Sequence, residues 1–164
     1  MEEVGNYLQR EAIQRTDPHQ RDLFGRSAFN RFYYATFIPL SNALAKMKPE
    51  WGGLPHKNVP TVLRESVIKG LKEGLKRANR VGDYDTVSVC SRAIDYCHQL
   101  ADLMESGYAI RVTADYNSAV PVDFTSGTDF RLASVPVSAA KQWPGKAVAY
   151  VEAISNAWRQ INEQ

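Results

Sequence analysis

Apolar residues recur at spacings of three and four along nearly the whole chain, a period that fits the face of an α-helix and not the alternation of a strand. Val4, Leu8 and Ile13 mark a first helix. Phe29, Phe32, Tyr33, Phe37, Leu40, Leu44 and Met47 mark a second, which begins between Gln20 and Ser27. The Thr16-Asp17-Pro18 step separates the two, because a residue before proline avoids helical angles. Pro39 lies inside the second pattern and removes the hydrogen bond to the carbonyl of Ala35, so a kink is expected there. Pro49 to Pro60, with two glycines, reads as a loop. A third helix runs from about Pro60 to Lys76 with Val62, Val67, Ile68, Leu71 and Leu75 inward. After Gly82-Asp83, Asp85 is expected to cap a long fourth helix reaching about Tyr116. Ser138 is expected to cap the last one, whose apolar stripe includes Ala147, Val148, Val151, Ile154, Ala157, Trp158 and Ile161. Between them, residues 117–137 turn to β-branched and turn-forming types. Val122–Phe124 and Phe130–Ala133 flank Thr-Ser-Gly-Thr-Asp, a short hairpin or a loop that Pro121 and Pro136 confine to edge pairing. The sum is a single all-α domain of 164 residues, an antiparallel bundle of four to five helices with a short irregular or hairpin insertion near 117–137.

Composition narrows the function classes. Twenty Lys and Arg against eighteen Asp and Glu leave a net charge of +2, so nucleic-acid contact would need a local patch. No apolar run approaches the roughly 18–20 residues of a membrane span. The start MEEVGNYLQREAIQR is too charged for a signal-peptide core, so a cytoplasmic protein with no membrane partner is expected. Cys90 and Cys97 lie about two helical turns apart, too far to bridge, and are expected as small buried thiols. His19, His56 and His98 come from three segments, there is no glycine-rich phosphate loop, and neither a metal nor a cofactor is expected.

The most informative stretch is Arg31-Phe-Tyr-Tyr-Ala-Thr-Phe37, where Arg31 and Tyr34 share a helical face and the guanidinium could stack on or hydrogen-bond with a neighbour. It is followed by Leu-Pro-His56-Lys-Asn-Val59 and, much later, by Arg111-Val-Thr-Ala-Asp-Tyr116. In this order the three blocks resemble the HEPN family, in the branch that reads Arg-x-Tyr-Tyr-Ala-x-Phe, a His-Lys-like helix start and Arg-x-x-x-Asp-Tyr. The resemblance spans about residues 20–160.

That resemblance implies a bundle of four or five helices that commonly pairs into a homodimer. Many members act on RNA as metal-independent endoribonucleases in toxin–antitoxin, phage-defence and CRISPR-linked systems, and others are accessory or nucleotide-binding modules. The nuclease branch carries an Arg, four to six residues, then a His. A cation there stabilises charge developing on the phosphate while a second group moves the proton of the ribose 2′-hydroxyl. In this chain Tyr116 stands where that histidine would be, and no histidine follows. A phenol ordinarily keeps its proton to about pH 10, whereas imidazole titrates near 6.5. Arg92 and His98 have the spacing, but they lie mid-helix and about 120° apart on the wheel. The resemblance thus points to Arg111, Asp115 and Tyr116 as the catalytic candidates, with Arg31, Tyr34 and His56 in support. The residues alone read equally as a helix-end ion pair of Arg111 with Asp115, with Tyr116 packed behind it.

A local patch does exist. Between Arg64 and Arg80 stand six basic and two acidic residues, and Lys69, Lys72, Lys76 and Arg80 share one helical stripe that could track phosphates or could simply be a solvated face. Two functions are therefore expected in parallel: a metal-independent endoribonuclease of an RNA-directed defence or toxin–antitoxin-type system, or a catalytically silent subunit that recruits or regulates a partner protein or nucleotide. The aromatic excess of the Phe29–Met47 helix suggests a homodimer, and a protein partner from a neighbouring gene is the other expectation.

Overall fold

The computed structural model describes residues 1–162. The helices are α1 (Glu2–Gln14), α2 (Pro18–Met47), a stretch made of α3 (Val59–Thr61), a wide π-helical turn (Val62–Val67) and α4 (Ile68–Val81), then α5 (Tyr84–Tyr116) and α6 (Val137–Asn162). Single 3₁₀ turns at Pro49–Trp51 and His56–Asn58 fill the predicted loop. The only strands among the described residues, β1 (Val122–Asp123), β2 (Arg131–Leu132) and β3 (Val135–Pro136), form one small antiparallel sheet in the order β1-β2-β3. The chain is all-α with a short insertion, as its periodicity predicts. It divides into two compact units, one of Met1–Phe37 and Ser106–Gly145, the other of Ile38–Glu105 and the chain from Lys146 onward. The divisions fall inside α2, α5 and α6, and α2 and α6 remain helical through Pro39 and Pro144.

In the first unit α1 fully buries Gly5 and Ala12, whereas of the stripe expected from spacing Leu8 and Ile13 are half-buried and Val4 is 46% exposed. The small residues explain the difference. A Cβ at Gly5 would lie 2.7 Å from Phe32 Cε1, so the helix can approach α2 closely only through that position. Of the two alternatives left open for this segment, hairpin or loop, the hairpin is present, with Val122 opposite Leu132, and a third strand is added by Val135–Pro136 beyond a turn at Ala133 (φ 52°). Pro136 lies on an edge strand, where its missing N–H is tolerated. Asp129 reaches forward to the start of α6, accepting from Ser138 N at 2.9 Å and from Ser138 Oγ at 3.0 Å. Ser138 is thus the recipient of a cap and not the cap expected of it.

In the second unit Asp83, not Asp85, caps α5: its carboxylate accepts from Thr86 N at 3.0 Å and from the Thr86 hydroxyl. Gly82 just before it takes the left-handed conformation (φ 75°) that ends α4. Gly70 and Gly74 weaken α4 as an isolated helix but admit neighbours, since a Cβ on them would lie 2.6 Å from Trp158 and 2.5 Å from Ile161. Ala147, Ile154, Ala157 and Ile161 of α6 are buried, whereas Val148, placed on that stripe by spacing, is 51% exposed one step round the helix.

Cys90 and Cys97 are free and fully buried. Burial pushes the Cys97 thiol up to about 12 and raises that of Cys90 as well. The native protein should therefore take up no iodoacetamide at mildly alkaline pH, while the denatured protein takes up two equivalents. Intact-mass measurement distinguishes these, and rapid native labelling would show that the thiols open to solvent. Phe29, Phe32, Tyr33, Leu40 and Leu44 are likewise buried within the chain, so the aromatic excess of α2 is consumed by its own core.

Candidate functional site

The candidate residues of α2 and α5 meet in the first unit. Asn30 and Tyr34 stand one turn apart on α2, and Arg111 and Asp115 stand one turn apart on α5. Running antiparallel, the helices pair them crosswise: Asn30 Nδ2 donates to Asp115 Oδ1, and Arg111 donates to the Tyr34 hydroxyl at 3.4 Å. Arg111 Nε lies 2.9 Å from Asp115 Oδ2, an ion pair by distance, although the N–H is angled away from the oxygen and makes no directed hydrogen bond. The two side chains are only 18% and 25% exposed. The Arg111 guanidinium also lies 5.3 Å from the centre of the Tyr116 ring, which is itself 74% exposed.

The electrostatics follow from this company. Burial works against the guanidinium charge, but the Tyr34 hydrogen bond and the Asp115 carboxylate outweigh it, and the Arg111 pKa is raised. Behind it Tyr33 is buried against Tyr34, Phe37 and Tyr108, and burial first, then Tyr34, raise its hydroxyl pKa well above the usual range, with Arg111 pulling the other way. The result is a fixed cation at a corner, flanked by a carboxylate and a phenol and covered by one exposed aromatic ring. Such a corner can hold an anion beside a planar group.

Four of the expected residues, Arg111, Asp115, Tyr116 and Tyr34, are thus brought together. Arg31 is not among them: its guanidinium lies 3.9 Å from Met1 Sδ. His56 belongs to the second unit, in the 3₁₀ turn before α3. Asn30 was not foreseen, although its four-residue spacing from Tyr34 matches that of Arg111 and Asp115. Arg26 was not foreseen either. Its Nε pairs with Asp22 at 2.6 Å, and its amino groups donate to the carbonyls of Thr113, Ala114, Asn117 and Val120. It closes the C-terminal end of α5, just beyond the site.

The basic stripe lies in the second unit. Lys69, Lys72, Lys76 and Arg80 are all exposed on the π turn's helical continuation. The other two basic residues of that run are engaged: Arg64 binds Asp102 and Glu105, and Arg77 donates to the Ile161 carbonyl at 3.0 Å. Among the described residues no three His, Cys, Asp or Glu side chains group as metal ligands would, and no helix is long and apolar enough to cross a membrane. Compared with protein-family models, with curated proteins and with solved structures, the chain matches none.

Proposed function

We propose that this chain is a HEPN-like module of an RNA-directed defence or toxin–antitoxin-type system, acting as a binding subunit and not as a ribonuclease. The observation that carries the reading is the corner at Arg111: a cation held by Asp115 and Tyr34 beneath the exposed Tyr116 ring. The motif order supports the family, and Tyr116 in the histidine's place supports binding over cleavage, since a phenol is a poor proton shuttle at neutral pH. The held guanidinium suits gripping a phosphate with a base laid against the ring.

Purified protein should leave total cellular RNA intact, while filter binding detects an association that Arg111→Ala weakens about tenfold, the equivalent of one charge-assisted contact. The same variant should lose about 1–2 kcal/mol of stability, as expected of a partly buried ion pair. Cleavage that disappears in a folded Arg111→Ala protein would establish the ribonuclease instead. Unchanged affinity in that variant would reduce the corner to a structural pair. The same family reading favours a homodimer or a partner encoded nearby; light scattering that returns the 18.4 kDa of one chain at all concentrations would remove the homodimer.

A further inference from the structure

Three depressions on the second unit share walls. The largest, about 510 Å³, has an apolar floor of Pro39, Ala43, Met47 and Val151, with Lys46 and Arg159 beside it and Trp158 as one side. Trp158 is also a side of the next, about 420 Å³, which holds Lys48, Lys69 and Trp51. Lys69 and Glu73 pass on into the third, about 310 Å³, where Lys72 and Lys76 stand. Trp158 is fixed in place: it packs on Gly70 and meets Trp51 edge to face, 5.4 Å between ring centres. The acidic residues on the way are Glu50, Glu65 and Glu73, and Lys48 lies 3.9 Å from Glu50. Cations outnumber them in the first and third depressions and equal them in the middle one.

From this continuity we infer that the three depressions form one path for single-stranded RNA, with a base seated against Trp158 over the apolar floor and the phosphates followed by Lys46, Lys69, Lys72 and Lys76. An acidic peptide would be attracted by the lysines but would have no use for an indole wall between two basic pockets. A duplex hides the faces of its bases. Unpaired nucleotides need both elements, because stacking supplies sequence-tolerant affinity and the cations track the backbone. Lys69, Lys72 and Lys76 of the stripe that sequence alone leaves open as a solvated face thereby become one end of a longer track.

This inference rests on the RNA-directed reading above, and the test separates the two. Anisotropy titrations would use a labelled oligouridylate of about ten nucleotides, a length within the range that such grooves cover. Lys72→Glu with Lys76→Glu, and separately Lys46→Glu, should each weaken binding at least tenfold. The slope of log affinity against log salt should fall by about 0.7 for each phosphate that is no longer neutralised. Lys141→Glu, an exposed charge of the first unit, should leave binding unchanged. Trp158→Phe, checked for folding by circular dichroism, should remove most of the tryptophan quenching that accompanies binding. Should Arg111→Ala alone weaken binding while the lysine variants do not, the path is wrong and the RNA-binding reading stands. No RNA binding by the wild-type protein would sink both. Equal affinity for duplex RNA, or full competition by polyglutamate, would overturn the single-strand path.

Discussion

Phe130→Ala should cost about 3–5 kcal/mol, the range for emptying a fully buried aromatic site that its surroundings cannot refill. Phe130 is wholly buried, edge-on to Phe29 at 6.0 Å and against Phe124 at 4.8 Å. Its carbonyl accepts from Val137 N at 2.8 Å, tying the insertion to the first residue of α6. A sheet of two-residue strands has a ladder too short to be stable alone, so its packing has to hold it, and Phe130 is the largest side chain that it buries. The variant should therefore melt at least 10 °C lower, and the amides of residues 122–137 should lose their hydrogen-exchange protection first. A melting temperature within two or three degrees of wild type would show that the insertion is held by something other than this ring.

Arg26→Ala should cost about 2–4 kcal/mol. The side chain is only 11% exposed, and its removal strips partners from four carbonyls and leaves the Asp22 carboxylate without its cation. Asp22 also accepts from Val122 N at 2.7 Å, so the same pair fixes the start of β1. Arg26→Lys should restore the charge but only part of the stability, because an ammonium cannot present the planar fork that spans several carbonyls. Thermal unfolding of the three proteins tests this, and complete rescue by lysine would mean that charge near the helix end matters and the fork does not.

What the sequence made legible was mostly periodic. Helix number and approximate extent follow from apolar spacing, and the Arg111–Asp115 pair follows from a four-residue offset on one helix. The misses share a cause. Gly5 and Ala12 carry the inward face of α1 because they are small, and a hydropathy pattern has no sign for closeness. Asp129 serves Ser138 from nine residues away, and Arg26 serves carbonyls nearly ninety residues on, interactions that no local rule can supply. Asp83 displaced Asp85 as a cap because helix α5 begins two residues earlier than the apolar run suggests, directly after the left-handed Gly82. The crosswise pairing of Asn30 with Asp115 and Tyr34 with Arg111 needed the knowledge that these two helices lie side by side. The sharing of Trp158 and Lys69 between depressions depends on tertiary packing altogether.

The wide turn at Val62–Val67 has a consequence for how this chain could change length over descent. Val59, Leu63, Val67 and Leu71 are buried at steps of four, and in a regular α-helix each such step drifts about 40° round the axis. The π turn absorbs that drift, which is what one surplus residue in a helix does. Deleting a single residue there would return the helix to regular winding and keep Leu71 within about 20° of the face it shares with Val59, because eleven regular steps of about 100° come close to whole turns. Relatives that lack the residue would carry the same lysines in the same order and aim them in the same direction. An aligned gap of one at this place would therefore leave ligand recognition by the lysines unchanged, and only substitutions among the lysines themselves would mark a change in it.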